Sequence, residues 1–138
     1  MRYLAALLLL FPLLANAACT DKEAGNFTTF LSRYLEDARF ALQFTQFPLR
    51  HVRWEDGTVA REGKALRKTA LINKAQASGP LLLGKFVQDN GLQSKISYQD
   101  RTAVTLEVFK PDTDWLVYYQ FRRRNGCWYL WQIEDASL

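Results

Sequence analysis

Two cysteines, one histidine and 14 acidic residues bound the chemistry this chain can perform. His51 stands alone in Arg50-His51-Val52-Arg53. A serine or cysteine nucleophile needs a base beside it, and no G-x-S-x-G elbow is present to supply the serine. A zinc site takes three or four nitrogen, sulfur or oxygen ligands, and one histidine with two distant cysteines falls short. No metal and no cofactor is expected. Acidic residues cluster at Glu36-Asp37, Glu55-Asp56, Asp112 with Asp114, and Glu134-Asp135. A carboxylate serves as acid or base at neutral pH when a dry pocket raises its pKa. These fall on a polar helix side, in turn-rich loops or after the last strand, where water solvates them. Asp37 is the single candidate base, a helix acid that would act if turned into a sheet's concavity. With no other catalytic candidate, the chain reads as a non-enzyme.

The cysteines carry a different chemistry. Arg2 precedes an apolar run from Leu4 to Leu14, broken only by Pro12 and followed by Ala15-Asn16-Ala17. That order predicts a secretory signal peptide over residues 1–17, cleaved between Ala17 and Ala18. Its apolar part is shorter than the ~20 residues a membrane span needs. The working molecule is then residues 18–138, one domain, periplasmic or secreted. In an oxidising compartment Cys19 and Cys127 pair as a disulfide. The alternative is a lipid anchor on Cys19, making a membrane-anchored lipoprotein; Asn16, three residues before it, fits that signal poorly. The formal net charge is +4, and Arg61, Lys64, Arg67 and Lys68 would share one side of a helix. That is a solvated face rather than the dense basic patch of a nucleic-acid binder, so no nucleic-acid partner is expected.

The elements that must position these groups follow from periodicity. Thr20-Asp21-Lys22-Glu23 has capping-box spacing, and Asn26 offers a second N-cap. Phe27, Phe30, Leu31, Tyr34, Leu35, Ala38, Ala41 and Leu42 recur every three or four residues, which predicts one long amphipathic helix. Pro48 prevents its continuation, and Phe44 to Val52 reads as an extended crossing. A shorter helix is expected over Lys64–Ala75, while Leu81–Val87 fits strand or helix. Ala103–Phe109 alternates as a half-buried strand. Trp115–Arg124 and Cys127–Ile133 are strands joined by Asn125-Gly126, a strong hairpin signal that pairs Arg124 with Cys127. One face then carries Tyr119, Phe121, Arg123, Trp128, Leu130 and Gln132. The other carries Tyr118, Gln120, Arg122, Arg124, Cys127, Tyr129, Trp131 and Ile133. A helix on an antiparallel sheet makes an α+β fold.

Phe47-Pro48-Leu49, Tyr119-Gln120-Phe121-Arg122 and Asn125-Gly126-Cys127-Trp128-Tyr129-Leu130, following a long first helix, stand in a recognisable order. Over residues 26–135 the chain resembles the nuclear transport factor 2-like superfamily, and is most similar to its small exported bacterial members. The resemblance implies a curved, cone-shaped antiparallel sheet wrapped around helices. Its members include isomerases, dehydratases, toxin-immunity proteins and non-catalytic partners, so the fold leaves function open. The expected function is a non-catalytic binding protein of the bacterial cell envelope, in one form an immunity protein against a secreted toxin. The alternative is a small pocket enzyme of the isomerase or dehydratase kind using Asp37 or a tyrosine. Once Tyr119, Phe121, Trp128 and Leu130 pack on the helix stripe, Tyr118, Gln120, Arg122, Tyr129 and Trp131 remain on the opposite face. Those five are the expected contact surface for a protein partner or a second copy, with the Arg122 guanidinium on the Tyr129 ring.

Overall fold

Asn26 caps the expected long helix at its start, and Asp37 divides that helix in two. In the computed structural model, which describes residues 19–55, 59–63, 65, 67 and 81–138, the chain opens with α1 (Lys22–Gly25), α2 (Phe27–Glu36) and α3 (Ala38–Gln43). The Asn26 side chain accepts from the Thr28 and Thr29 amides, and Asp37 accepts from those of Arg39 and Phe40. Both residues sit in extended backbone conformations, so each ends one helix and caps the next. The helix stripe therefore changes phase at Asp37. Phe40, which falls off the unbroken stripe, becomes one of the most buried residues of α3. The first cap is Asp21 rather than Thr20, accepting from the Glu23 and Ala24 amides. Residues 1–17, the expected export signal, and nearly all of the helix expected over 64–75 lie outside the described residues.

The strands are β1 (Thr45–Glu55), β2 (Val59–Glu62), β3 (Gln93–Gln99), β4 (Ala103–Phe109), β5 (Leu116–Arg124) and β6 (Cys127–Asp135). Between β2 and β3 lies α4 (Leu83–Asp89), which resolves the ambiguous apolar run as helix. The six strands form one curved sheet in the order β2-β1-β6-β5-β4-β3. All neighbours are antiparallel except β1 and β6, which run parallel. Pairing of β1 with β6 lapses between Thr45 and Arg50, where Pro48 has no amide hydrogen to donate.

Asn125 and Gly126 both take positive φ, 50° and 79°, as a two-residue hairpin turn requires, and Arg124 pairs with Cys127. The register then shifts: Phe121 faces Leu130 but Gln120 faces Gln132, leaving Trp131 without a partner. That bulge exchanges the faces of everything beyond it. Ile133, expected outside, is buried opposite Tyr119, and Gln132, expected inside, lies opposite Gln120 on the outer face.

The inner face carries Val104, Leu106, Val108, Tyr119, Phe121, Leu130 and Ile133, all buried. Against it Phe30 meets Phe121 at 5.6 Å, Tyr34 at 5.4 Å and Phe40 at 5.7 Å between ring centroids. Phe27 meets Trp128 edge-on at 5.0 Å. The buried Tyr34 hydroxyl is satisfied by Thr45 Oγ1 at 2.7 Å, which in turn donates to the Ala41 carbonyl. Burial pushes both the Tyr34 and the Tyr119 phenols well above their usual pKa, so neither ionises near neutral pH.

Cys19 and Cys127 form the expected disulfide, with 4.9 Å between their Cα atoms. The hairpin register assigned Cys127 outward, yet it is buried with the core. Because α1 lies beside β6, the start of the chain reaches Cys127 where β6 begins.

Candidate functional site

Asp37 is occupied as a cap. Its Oδ1 accepts from the Arg39 amide at 2.9 Å and the Phe40 amide at 3.1 Å, and its Oδ2 lies 3.5 Å from Arg33 Nε. The Phe40 amide foremost, with the Arg39 amide and Arg33, holds its carboxyl below the usual range, although desolvation opposes them. A base needs the opposite shift. Asp37 does line an open hollow of about 380 Å³, but this lies among Glu23, Thr29, Ser32, Arg33 and Glu36 on the polar side of the helices. The concavity of the sheet holds the packed rings of Phe30, Tyr34, Phe40 and Phe121 instead. His51, half-buried on β1, has its carbonyl bonded to the Gly63 amide. Among the described residues no three His, Cys, Asp or Glu side chains gather in a way that could hold a metal ion.

The outer face of the sheet is where unusual side chains collect. At its centre Gln120 of β5 pairs across with Gln132 of β6. Toward the hairpin, the bulged Trp131 ring lies between two guanidiniums, with Arg122 Cζ 5.0 Å and Arg50 Cζ 5.9 Å from its centroid. The expected Arg122–Tyr129 stack is replaced by this arrangement, because the bulge swings Trp131 toward Arg122. Arg122 also donates through Nη2 to Gln46 Oε1. Tyr129 leans away and packs on Phe44 at 5.5 Å. Of the five residues expected to make the contact surface, Arg122 and Trp131 therefore sit together while Tyr129 belongs half to the core.

Tyr118 and Gln120 belong to the other end of the face. There an open hollow of about 400 Å³ is lined by Trp54, Thr105, Tyr118, Gln120, Glu134 and Ala136. Glu134 accepts from Trp54 Nε1 through Oε1 and from Gln120 Nε2 through Oε2, the latter at 2.7 Å. It is a half-buried strand residue, not the solvated carboxylate expected beyond the last strand. Burial, then the charges of Glu107 and Glu134, hold the Tyr118 phenol above its usual pKa.

Sequence reasoning missed Gln46, Arg50, Trp54 and Glu134. The first three reach this face only because β1 pairs in parallel with β6, a contact spanning some 80 residues that no local pattern announces. The mixed aromatic and basic residues of Arg50 to Trp54 were its one available sign.

No family model matches the chain, and no curated protein matches it. Among solved structures it is similar to a nuclear transport factor 2-like protein from Bacteroides fragilis. Identity there is 16%, the TM-score 0.58, and the match covers 86% of this chain and 50% of that one. The fold is that of the nuclear transport factor 2-like proteins. A cystatin-like protein from Bacteroides caccae is also similar, at 18% identity and TM-score 0.52, covering 80% of this chain and 75% of that one. This chain thus spans half the length of the B. fragilis protein. At such identities the likeness extends to the fold and leaves the chemistry of the outer face to this chain's own residues.

Proposed function

We propose that this chain is a non-catalytic binding protein of the bacterial cell envelope, working through the outward face of its sheet. The observation that carries it is the surface left once the core has closed. Trp131 between Arg50 and Arg122, and Trp54 with Tyr118 around Glu134, make an aromatic, charged patch of the kind that dominates protein contacts.

The envelope assignment rests on the Cys19–Cys127 disulfide, which suits an oxidising compartment, and on the export signal expected over residues 1–17. No helix of the described residues is long and apolar enough to cross a membrane. A lipid on Cys19 would need the sulfur that the disulfide uses, so one molecule cannot carry both.

The test is the double variant Arg122→Ala, Trp131→Ala of the exported protein. Self-association is followed by sedimentation, and partner capture from periplasmic extract by mass spectrometry. The expected result is loss of association with a melting temperature close to that of the parent. A large fall in melting temperature with association unchanged would make this face ordinary packing.

A further inference from the structure

Among the described residues, Glu134 differs from the other strand glutamates in having no cation paired with it. Glu55 pairs with Arg61 at 3.0 Å, Glu62 with Arg50 at 3.0 Å and Glu107 with Lys95 at 3.2 Å. Among the described residues no lysine or arginine pairs with Glu134. Its two oxygens are held instead by neutral donors, the Trp54 indole and the Gln120 amide. Those donors fix the direction of the carboxylate without cancelling its charge. They hold it in the open hollow of about 400 Å³ whose lining includes the rings of Trp54 and Tyr118. A carboxylate flanked by aromatic rings, with room beside it, favours an organic cation. The charge is met by the carboxylate, and the surrounding CH groups by the rings. A divalent metal is a poor fit, since it requires several oxygen ligands and this hollow offers one carboxylate.

We propose that the Trp54–Tyr118–Glu134 hollow is a subsite for the guanidinium or ammonium group of a partner protein's arginine or lysine side chain. This rests on the outward face being the contact surface, and it gives that surface a polarity. Arg50 is already paired with Glu62, so at the Trp131 end it is Arg122 that calls for an acidic group on the partner, while the Glu134 end calls for a basic one. The hollow is open on one side, which suits a side chain delivered by a docking surface.

The indole N–H of Trp54 touches Glu134 directly, so its NMR resonance reports on the hollow. n-Butylguanidinium and n-butylammonium serve as side-chain probes, n-butanol as the neutral control and tetramethylammonium as a free quaternary cation. Both butyl cations are expected to shift the Trp54 indole and Gln120 side-chain amide resonances saturably, with Kd on the order of millimolar. n-Butanol should not. Glu134→Gln, which keeps an acceptor for Trp54, should weaken binding about tenfold, the size expected of a charge-assisted contact. Tyr118→Leu leaves the carboxylate and its donors in place and should weaken binding severalfold. The assignment is overturned if neither cation produces a saturable shift, if n-butanol matches them, or if both variants bind like the parent. Tighter binding of tetramethylammonium would overturn the side-chain occupant in favour of a small free ammonium ligand. Failure here leaves the association test on Arg122 and Trp131, at the other end of the face, unaffected.

Discussion

Phe30 lies within 5.4–6.2 Å, centroid to centroid, of the rings of Phe27, Tyr34, Phe40, Phe44 and Phe121. Truncating it removes a ring from a site with no route for solvent to fill it. Phe30→Ala should cost about 3–5 kcal/mol, read from urea unfolding; a loss under about 1 kcal/mol would contradict the packing described. The carboxyls of Asp37 and Asp100 titrate below their usual range. Asp100 is held by the Tyr98 hydroxyl and by the Thr102 and Ala103 amides, and Asp37 by the Phe40 and Arg39 amides and Arg33. A folded pKa below the unfolded one, about 3.9 for aspartate, means that the folded state binds fewer protons. The stabilisation is therefore complete above that value and lost as pH falls through the lowered folded values. Asp37→Asn and Asp100→Asn should each flatten the decline of the urea midpoint as pH falls below about 4; profiles parallel to the parent in that range would refute the assignment. At this scale the buried stripe Phe27, Phe30, Tyr34 was legible from spacing alone. The role of Asp37 was not, because capping and catalysis use the same residue type and only neighbouring amides distinguish them.

Helix α4 approaches α2 through Gly84. A Cβ added there would stand 2.7 Å from the Leu35 carbonyl oxygen and 3.2 Å from Leu35 Cβ. Gly84→Ala gains helix propensity, yet backbone must move to admit the methyl group. The variant should lose about 1–3 kcal/mol, measured by thermal unfolding; stabilisation would mean that the helices do not cross so closely. The Asn125-Gly126 hairpin was legible because turn chemistry is local, and so was the alternation of β4. The helix start at Asn26 was legible from its capping signal, but the break at Asp37 was not, because Asp37 sits inside a continuous apolar period. The bulge at Trp131 has no sequence mark, and its cost in register was the exchange of Gln132 and Ile133. β3 was not read as a strand because it is an edge, exposed along its whole length, and only Ile96 and Tyr98 alternate with polar residues to mark it.

One disulfide spans almost the whole described chain, with a sequence separation of 108. In the chain-entropy model closing so long a loop contributes about 4–5 kcal/mol. Cys19→Ser with Cys127→Ser should lower stability by up to that amount and leave the secondary structure intact by circular dichroism. An unchanged urea midpoint would contradict a formed bridge. The helix-on-sheet architecture was legible from the order of the periods, whereas the parallel β1–β6 pairing was not, because it joins segments far apart in sequence. That pairing is what assembles Arg50 and Trp54 beside Trp131 and Glu134, so the proposed contact face belongs to the whole molecule. The most direct measurement is site-specific photo-crosslinking in cells. A photoreactive amino acid is placed at Tyr118 on the outer sheet face, and at Thr28 or Glu36 on the exposed side of α2 in control variants. Discrete adducts from Tyr118 and none from the helix positions are expected. Adducts from Thr28 or Glu36 with none from Tyr118 would place the working surface on the helices and contradict the account.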